Sequence, residues 1–412
     1  MQLVRSPGQH RLGVAFVGLG GAVASTAVAG IELLRRGVVA PDGLSLAELP
    51  AHLARGLAGY GDLVFAGWDI AAGDLATAAR GHCVLEREQL DAVEPALSTI
   101  QPWPAVGKAR FCRNVTGGNR TNATSHRAAV EAVRENLQTF REREGLSGLV
   151  VVNLASTEAK LDPADPILAS PEAFEDAIDR DDERLAPAMI YAYAAITDGV
   201  PYANFTPSFA ADVPALARLA AQRGVPVAGK DGKTGQTMIK TVLAPAFRAR
   251  NLKVEGWYSA NILGNRDGLA LTDKDSLQSK LDTKGTVLDG CLGYPVEDHL
   301  VDIRYYKPRG DNKEAWDNID LVGFLGYRMQ LKVNFLCRDS ILAAPLVIEI
   351  ARLLDLAKRR GEGGVQEQLG LFFKQPMTTD PRRRPEHALH VQQQTLLDWL
   401  GADDASLAQA AE

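Results

Sequence analysis

The chain has 412 residues, of which 46% are hydrophobic and 23% charged, and its formal net charge is −6. This length allows a two-domain enzyme with a sizeable core, and the negative balance disfavours a dedicated nucleic-acid binder, which would carry a basic footprint. Membrane spans are not expected because no apolar run reaches about 18 residues. The four cysteines lack CxxC spacing and are expected to be unpaired thiols in a reducing cytoplasm.

Residues 12–229 alternate between short apolar runs and helical patterns. The glycine-rich run at 12–29 predicts a strand, a turn and a helix rather than a signal peptide. Buried strands are predicted at 12–18, 63–69, 148–153, 202–206 and 225–229, with helices at 22–36, 125–144, 186–198 and 213–223. Apolar strands that alternate with helices indicate an α/β protein with a Rossmann-like, doubly wound parallel sheet.

The pattern changes at about residue 240. Alternating or β-rich runs at 254–261, 301–307 and 329–336 predict an inserted mixed α/β domain, with an open sheet that packs on helices or on another subunit. A long apolar helix at 341–360 is expected to return to the first domain. We therefore predict a Rossmann-like domain in residues 1–240, a catalytic and oligomerisation domain in residues 241–340, and C-terminal helices in residues 341–412 that rejoin the first domain.

A glycine-rich turn joins the first predicted strand to the first predicted helix. Glycines in such a turn let backbone amides approach a pyrophosphate, and the start of the helix offers unpaired N–H groups. The residues that would contact a dinucleotide here are Gly18, Gly20, Gly21, Ala22 and Val23. The match to GxGxxG is imperfect, so a glycine-rich turn without a ligand is the alternative interpretation.

Asp69 ends the second predicted strand. A carboxylate at this position can accept hydrogen bonds from the adenosine ribose and disfavour a 2′-phosphate, which favours NAD over NADP. Its distance along the chain from the glycines is far longer than the usual ~20 residues, so this interpretation requires an insertion. A surface aspartate without a ligand is the alternative.

Lysines, glycines and hydroxyl residues are concentrated in the loop at 230–237. Its last four residues would start the following helix, where backbone N–H groups and hydroxyls bind anions. These four are Thr234, Gly235, Gln236 and Thr237. The loop lacks the GxxxxGK[ST] order of a Walker A motif. An ordinary helix cap with solvated lysines is the alternative.

Other lysines are less informative by themselves. Lys280 and Lys284 are four residues apart and would share one helix face, where like charges are mildly unfavourable unless an anion binds. A solvated surface is the alternative, and neither Lys313 nor Lys374 carries a signal alone. The seven histidines lack zinc-ligand spacing and no GxSxG motif occurs, which disfavours a zinc site and nucleophilic hydrolysis.

Six motifs occur in a recognisable order along the chain. They are GKDGKTGQT (229–237), NILGNRDG (261–268), SKLDTK (279–284), GDNK (310–313), CRDSILAAPL (337–346) and FFKQPM (372–377). In this order and rough spacing they resemble the myo-inositol-1-phosphate synthase family, also called inositol-3-phosphate synthase, in its short archaeal and bacterial form. The resemblance covers residues 12–377 and is strongest after residue 228.

The resemblance implies an isomerase, an intramolecular cyclase, of inositol biosynthesis. Family members convert D-glucose 6-phosphate to inositol phosphate with NAD that is consumed and regenerated within one turnover. C5 is oxidised, a C6 proton is lost, the enol attacks C1 in an aldol step, and the C5 ketone is reduced again. The resemblance also implies a cytoplasmic homotetramer, a product that can enter phospholipid biosynthesis, and a divalent metal or an ammonium or other monovalent cation.

The resemblance also assigns site residues. The residues that would line the site are Lys280, Lys284, Lys313, Lys374, Asp231 and Asp267, and Asn265 with Asp267 would contact the cofactor. The phosphate would be held by Thr234, Gly235, Gln236, Thr237 and Lys284, with threonine at 234 in place of the family's serine. Fixed ammonium groups would stabilise negative charge developing at O5 and O1, and one lysine, its pKa lowered by the others, would act as a base. The glycine turn lacks the asparagine-rich pattern of the eukaryotic branch.

Two alternatives remain open. An NAD-linked dehydrogenase of a sugar or polyol phosphate needs the same loop and lysines but would accumulate NADH. A non-catalytic regulator that binds NAD or a sugar phosphate would bind without turnover. The presence of all four lysines that the resemblance assigns to the site argues against the second alternative.

Overall fold

The computed structural model describes residues 10–108, 110–112, 115–159, 161–264, 287–380 and 382–409, with side chains described as far as residue 402. Within these ranges no helix is long and apolar enough to cross a membrane. The strands are β1 (Leu12–Val17), β2 (Leu63–Asp69), β3 (Trp103–Pro104), β4 (Gly148–Asn153), β5 (Tyr202–Asn204), β6 (Pro226–Gly229), β7 (Lys253–Leu263), β8 (Asp298–Tyr305), β9 (Asn312–Val322), β10 (Arg328–Arg338) and β11 (Gly364–Val365). The helices are α1 (Ala22–Arg35), α2 (Leu75–His82), α3 (Arg87–Leu97), α4 (His126–Glu144), α5 (Pro171–Asp179), α6 (Pro187–Thr197), α7 (Pro214–Gln222), α8 (Gly235–Ala249), α9 (Asp339–Arg359) and α10 (Leu389–Gln409).

Seven strands form a parallel sheet in the order β11-β6-β5-β4-β1-β2-β3. β1 lies inside the sheet, with Leu12 paired to Leu63 of β2 on one side and to Gly148 of β4 on the other. β1 is buried along its whole length, because helices cover both faces of the sheet. The doubly wound parallel sheet predicted from the sequence is confirmed. Its strand order reverses between β1 and β4, which is where open sheets of this type bind ligands.

Two apolar cores flank this sheet. One contains Leu137 of α4 and Tyr191 of α6, and the other contains Ile31 of α1 and Ile350 of α9. α9 follows directly after β10 and packs on α1, although the two helices are far apart in sequence. The chain therefore returns to the parallel sheet after the second sheet is complete.

Residues 36–62 separate α1 from β2 and consist mostly of turns. The Tyr60 hydroxyl donates a hydrogen bond to Glu349 of α9 over 2.6 Å, and Arg352 donates to the Ala58 carbonyl over 2.7 Å. These buried contacts hold the segment against the core. This segment is the insertion that explains why Asp69 lies so far along the chain from the glycine turn.

The other four strands form a mixed sheet in the order β10-β9-β7-β8, in which β7 and β8 are parallel and the other pairs antiparallel. One face packs on α8 and on the helical residues 287–292. The core on that face includes Phe247, Trp257, Leu288 and Ile319. The opposite face is open. The second sheet predicted from the sequence is therefore confirmed as a mixed sheet.

The sequence analysis missed β9, which is central to this sheet. Two positions of β9 on its covered face are charged, Lys313 and Asp317, so its alternation of apolar and polar residues is hidden. Asp317 is nevertheless only 2% exposed. A buried carboxylate needs hydrogen-bond donors from its neighbours, and such donors are supplied by residues that are distant in sequence.

Candidate active site

The glycine turn joins β1 to α1 at the carboxyl edge of the parallel sheet. Gly18 has a φ of +89°, a conformation that glycine adopts at least cost, and a side chain there would come within 3.1 Å of the Leu154 carbonyl. α1 begins at Ala22 without a side-chain cap. The amides of its first turn are therefore not satisfied by a cap, which is the arrangement that binds a pyrophosphate.

Asp69 lies beside this turn at the end of β2. Its Oδ2 accepts a hydrogen bond from the Gly20 amide, and its Oδ1 accepts one from the Ala71 amide, both over 2.8 Å. A side chain at residue 20 would come within 3.1 Å of the carboxylate. The structure thus brings Asp69 to the glycine turn, and each carboxylate oxygen retains acceptor capacity for a ribose hydroxyl.

A cavity of about 300 Å³ opens at this edge of the sheet. Its wall includes the glycine turn and Asp69, which the sequence analysis assigned to a dinucleotide. The same wall includes Asp231 and Thr234 of the GKDGKTGQT motif and Lys374 of the FFKQPM motif, which the resemblance assigns to the substrate. Residues assigned to a cofactor and residues assigned to a substrate therefore line one cavity.

Lys374 and Asp231 form a buried ion pair in this wall. Nζ of Lys374 lies 2.7 Å from Oδ1 of Asp231, and the two residues are 8% and 4% exposed. The Lys374 amide also donates to the Asp231 carbonyl over 2.7 Å. Two residues that are 143 positions apart in sequence are thus held as a unit, with further ammonium hydrogens available to a ligand.

Asp339 contacts two residues that were predicted to belong to the site, Thr234 and Lys313. Its Oδ1 accepts a hydrogen bond from the Thr234 hydroxyl over 2.8 Å, and both carboxylate oxygens lie 3.3 Å from Nζ of Lys313. Asp339 is the first residue of α9 and lines the cavity. The sequence analysis did not assign it a role, although it lies within the CRDSILAAPL motif.

The Gln236 side chain is engaged away from the cavity. Its Nε2 donates to Asp317 over 3.1 Å and to the Ala260 carbonyl over 3.4 Å, and its Oε1 accepts from Asn261 over 2.5 Å. Both ends of the amide are therefore used. Any contact of Gln236 with a phosphate would have to be made by its backbone amide in the first turn of α8, together with those of Gly235 and Thr237.

Four predicted site residues lie outside the described residues. They belong to the segment 265–286 and are Asn265, Asp267, Lys280 and Lys284. Of the four predicted lysines, the structure therefore locates Lys313 and Lys374 only. The carboxylate partners of these two, Asp339 and Asp231, both line the cavity.

Glu158 is a cavity residue that the sequence analysis missed. Its Oε1 accepts a hydrogen bond from the Ala188 amide over 3.1 Å, and no described residue bonds its Oε2. Burial raises the pKa of Glu158 to about 8, so the group is largely protonated at neutral pH. The available signal was a carboxylate placed shortly after the buried strand β4, at the edge where ligands bind.

Lys108 is a second cavity residue without an earlier assignment. Its Nζ lies 3.2 Å from Nε2 of His126, and burial lowers the pKa of both groups.

With regard to metals, no group of three or more histidine, cysteine, aspartate or glutamate side chains in the described ranges is arranged to hold an ion.

A parallel sheet with an uncapped helix start, an acidic strand end and a buried lysine–carboxylate pair on one cavity defines a dinucleotide-binding α/β protein with a charged substrate site. Residues 47–401 match the family model for myo-inositol-1-phosphate synthase, which is an NAD-binding model. The chain therefore belongs to the myo-inositol-1-phosphate synthase family. The glycine turn, the open first turn of α1 and Asp69 fit NAD, the cofactor of this family.

Individual relatives agree with this family. Inositol-3-phosphate synthase 1 of Bacteroides thetaiotaomicron is 40% identical over 96% of this chain and 97% of its own. The crystal structure of inositol-3-phosphate synthase from Caenorhabditis elegans matches with a TM-score of 0.89 and 26% identity, over 96% of this chain and 86% of that chain. A myo-inositol-1-phosphate synthase-related protein from Thermotoga maritima matches with a TM-score of 0.78 and 27% identity, over 95% and 99% of the two chains.

Proposed function

We propose that this protein converts D-glucose 6-phosphate to 1D-myo-inositol 3-phosphate, as an NAD-dependent isomerase. The observation that carries the proposal is the single cavity that combines the glycine turn and Asp69 with the Lys374–Asp231 pair and with Thr234. A cofactor site alone would suit many dehydrogenases. Buried ammonium groups beside it suit a substrate on which oxyanions develop.

The mechanism requires stabilisation of negative charge at O5 during enolisation and at O1 during ring closure. The glycine turn and Asp69 would hold NAD, which would supply the reversible hydride chemistry that C5 requires. We assign Lys374 to an oxyanion or to proton handling, because its ammonium group is fixed by Asp231 over 2.7 Å. Lys313 has a similar role in the proposal, together with Lys280. Fixed donors in a dry site require little reorganisation during the reaction.

The phosphate is assigned to the start of α8. Gly235, Gln236 and Thr237 form its first turn and contribute backbone amides, which are favourable partners for a dianion. Thr234 contributes a hydroxyl that Asp339 already orients. Lys284 completes this set in the proposal, and Asn265 and Asp267 are assigned to the cofactor.

We also propose that the open face of the second sheet is an interface between copies of this chain, in a homotetramer. Leu300 and Leu336 on this face are 56% and 61% exposed, and Phe324 and Leu325 at the β9–β10 turn are 87% and 88% exposed. Exposed apolar clusters of this kind mark association surfaces. Leu325→Arg is expected to lower the mass measured by light scattering, and an unchanged mass would remove this turn from the interface.

Two further assignments belong to the proposal. None of the four cysteines, all of which lie in the described ranges, forms a disulfide, which supports a reducing compartment such as the cytoplasm. The division into residues 1–240, 241–340 and 341–412 is supported by the two sheets, although α8 packs on the second sheet while its first turn lies at the cavity.

The proposal is tested with purified protein, glucose 6-phosphate and a catalytic amount of NAD. Phosphorus NMR follows the inositol phosphate and absorbance follows NADH. Inositol phosphate without net NADH is the expected result. NADH that rises in step with product would instead identify a sugar- or polyol-phosphate dehydrogenase. Binding of both ligands without any product would identify a non-catalytic binding protein.

A further inference from the structure

The C-terminal helix makes a buried contact with the loop that carries Asp231. Gln392 lies in the first turns of α10, and its side-chain oxygen accepts a hydrogen bond from Nζ of Lys233. The two residues are 4% and 5% exposed, and burial lowers the pKa of Lys233 to about 8. A buried amine held by a neutral amide is costly compared with an apolar pair of the same shape. Stability alone does not explain its presence.

The same amide holds two further backbone segments. Nε2 of Gln392 donates to the Gly370 carbonyl over 3.1 Å and to the Glu386 carbonyl over 2.6 Å. Both N–H groups and the oxygen of this side chain are therefore used, which fixes its orientation. The backbone amide of Lys233 donates in turn to the Phe372 carbonyl over 2.8 Å.

The segments joined in this way are the ones that carry the ion pair of the candidate site. Residues 230–233 and 372–375 run side by side, with Gly232 bridged to Phe373. The Lys374 amide donates to the Asp231 carbonyl within this two-stranded element. Lys233, which Gln392 holds, is two residues from Asp231, and the Phe372 carbonyl that its amide contacts is two residues from Lys374.

The contact also reaches the chain that follows the segment 265–286. The ring of His387, just before α10, packs against the backbone of Gly290 in the helical residues 287–292. The side chain of Lys233 faces this group, since it interacts electrostatically with Cys291 and Glu386. The loop at 230–237, the helical residues 287–292 and the residues just before α10 therefore meet around the side chain of Lys233.

We propose that Gln392 and Lys233 are positioning residues for the Lys374–Asp231 pair, so that the C-terminal helix fixes the place of the Lys374 ammonium group. Neither side chain lines the cavity, so both act through the two-stranded element. The inference rests on the proposed function, because it assigns this pair to the chemical step. It predicts an effect on kcat rather than on NAD binding, since small misplacements of a reacting group are costly.

The first experiment compares Gln392→Leu with Gln394→Leu in the full chain. Gln394 lies on the same helix, but its side chain makes an exposed contact with Asp398. Gln392→Leu is expected to lower kcat about 10- to 100-fold, with the Kd for NAD unchanged, whereas Gln394→Leu has no effect. Gln392→Glu keeps an acceptor for Lys233, so its kcat is expected to fall less than that of Gln392→Leu. Equal losses in the Glu and Leu variants would overturn the assignment.

The second experiment separates positioning from a general loss of structure. In a Lys374→Met background, Gln392→Leu is expected to cause no further loss of kcat, because its effect passes through Lys374. An undiminished further loss would overturn the proposal. If Gln392→Leu does not fold, Lys233→Met removes the same contact with an unbranched apolar side chain and takes its place.

Hydrogen exchange gives a readout that does not depend on turnover. Gln392→Leu is expected to speed amide exchange in residues 230–233 and 372–375 together, and Gln394→Leu is not. Unchanged exchange in both segments would overturn the inference even if the protein is active. If the unmodified protein has no activity with glucose 6-phosphate, the proposed function fails, and the effect of Gln392 and Lys233 on catalysis fails with it. The exchange result still decides whether the contact between Gln392 and Lys233 holds the two-stranded element.

Discussion

The Lys374–Asp231 pair offers the sharpest mutational test of the site. Its two charged atoms are 2.7 Å apart and both residues are buried. Removing a fixed donor to a developing oxyanion costs about 10²–10³ in kcat, which corresponds to about 3–4 kcal/mol in the activation free energy. We expect losses of this size for Lys374→Met. Asp231→Asn is expected to approach them, because the ammonium group would lose the partner that holds it.

The double variant decides whether the two residues act as a unit. Residues that act together give non-additive losses, so Lys374→Met combined with Asp231→Asn should lower kcat no further than the worse single variant. The assay is kcat and KM for glucose 6-phosphate by phosphorus NMR, with NAD binding measured by calorimetry. Losses that multiply in the double variant would show that the two residues act independently, and a Lys374→Met variant that keeps its activity would remove Lys374 from the chemical step.

The neighbouring pair of Lys230 and Asp212 provides the matched control. Its charged atoms are 2.8 Å apart and its side chains are 10% and 13% exposed, but neither residue lines the cavity. Breaking either buried pair by removing one partner is expected to lower stability by about 3–5 kcal/mol. Asp212→Asn should therefore resemble Asp231→Asn in thermal unfolding but lower kcat less, because Lys230 belongs to the same two-stranded element while neither member of its pair reaches the cavity.

Three further predictions concern the cofactor, the second sheet and a buried amine. Asp69→Ala is expected to raise the Kd for NAD about tenfold and to reduce the ratio of the Kd for NADP to the Kd for NAD, both measured by calorimetry. The reason is that the variant lacks a carboxylate that disfavours a 2′-phosphate. An unchanged ratio would contradict the role of Asp69. Asp317→Asn is expected to weaken the binding of inorganic phosphate, because Asp317 orients Gln236 at the start of α8. Asp320→Asn changes a residue on the open face of the same strand and is expected to leave phosphate binding unchanged. Equal effects of the two variants in phosphate titrations would contradict this. Burial lowers the pKa of Lys240 from the ordinary 10.5 to about 8, so the unfolded chain binds more protons between these values and stability rises with pH across that window, by up to about 3 kcal/mol. Lys240→Met should remove that rise in urea unfolding, and a stability difference between the two proteins that does not vary with pH would count against it.

The parallel sheet could be predicted because its strands are continuous apolar runs. A strand buried on both faces, such as β1 and β4, shows this pattern locally, and a glycine turn marks where the helix follows. β9 could not be predicted in the same way. Its covered face carries Lys313 and Asp317, whose burial is compensated by hydrogen-bond partners elsewhere in the chain.

The candidate site was predictable as a set of motifs but not as a set of contacts. The sequence assigned Lys374 and Asp231 to one site through a family resemblance, and the structure supplies the 2.7 Å contact between them. Asp339 and Gln392 had no assignment, because each depends on partners far away in the sequence. Long-range contacts of this kind are set by tertiary packing and leave no local pattern.

On this protein we expect NAD to be consumed and regenerated within one turnover. The most direct measurement supplies glucose 6-phosphate in large excess over NAD and over the protein, with no second oxidant, and determines the moles of inositol phosphate formed for each mole of NAD added. We expect a ratio far above one, with no NADH accumulating at the end. Product formation that stops at one mole for each mole of NAD, with all of the cofactor recovered as NADH, would contradict it.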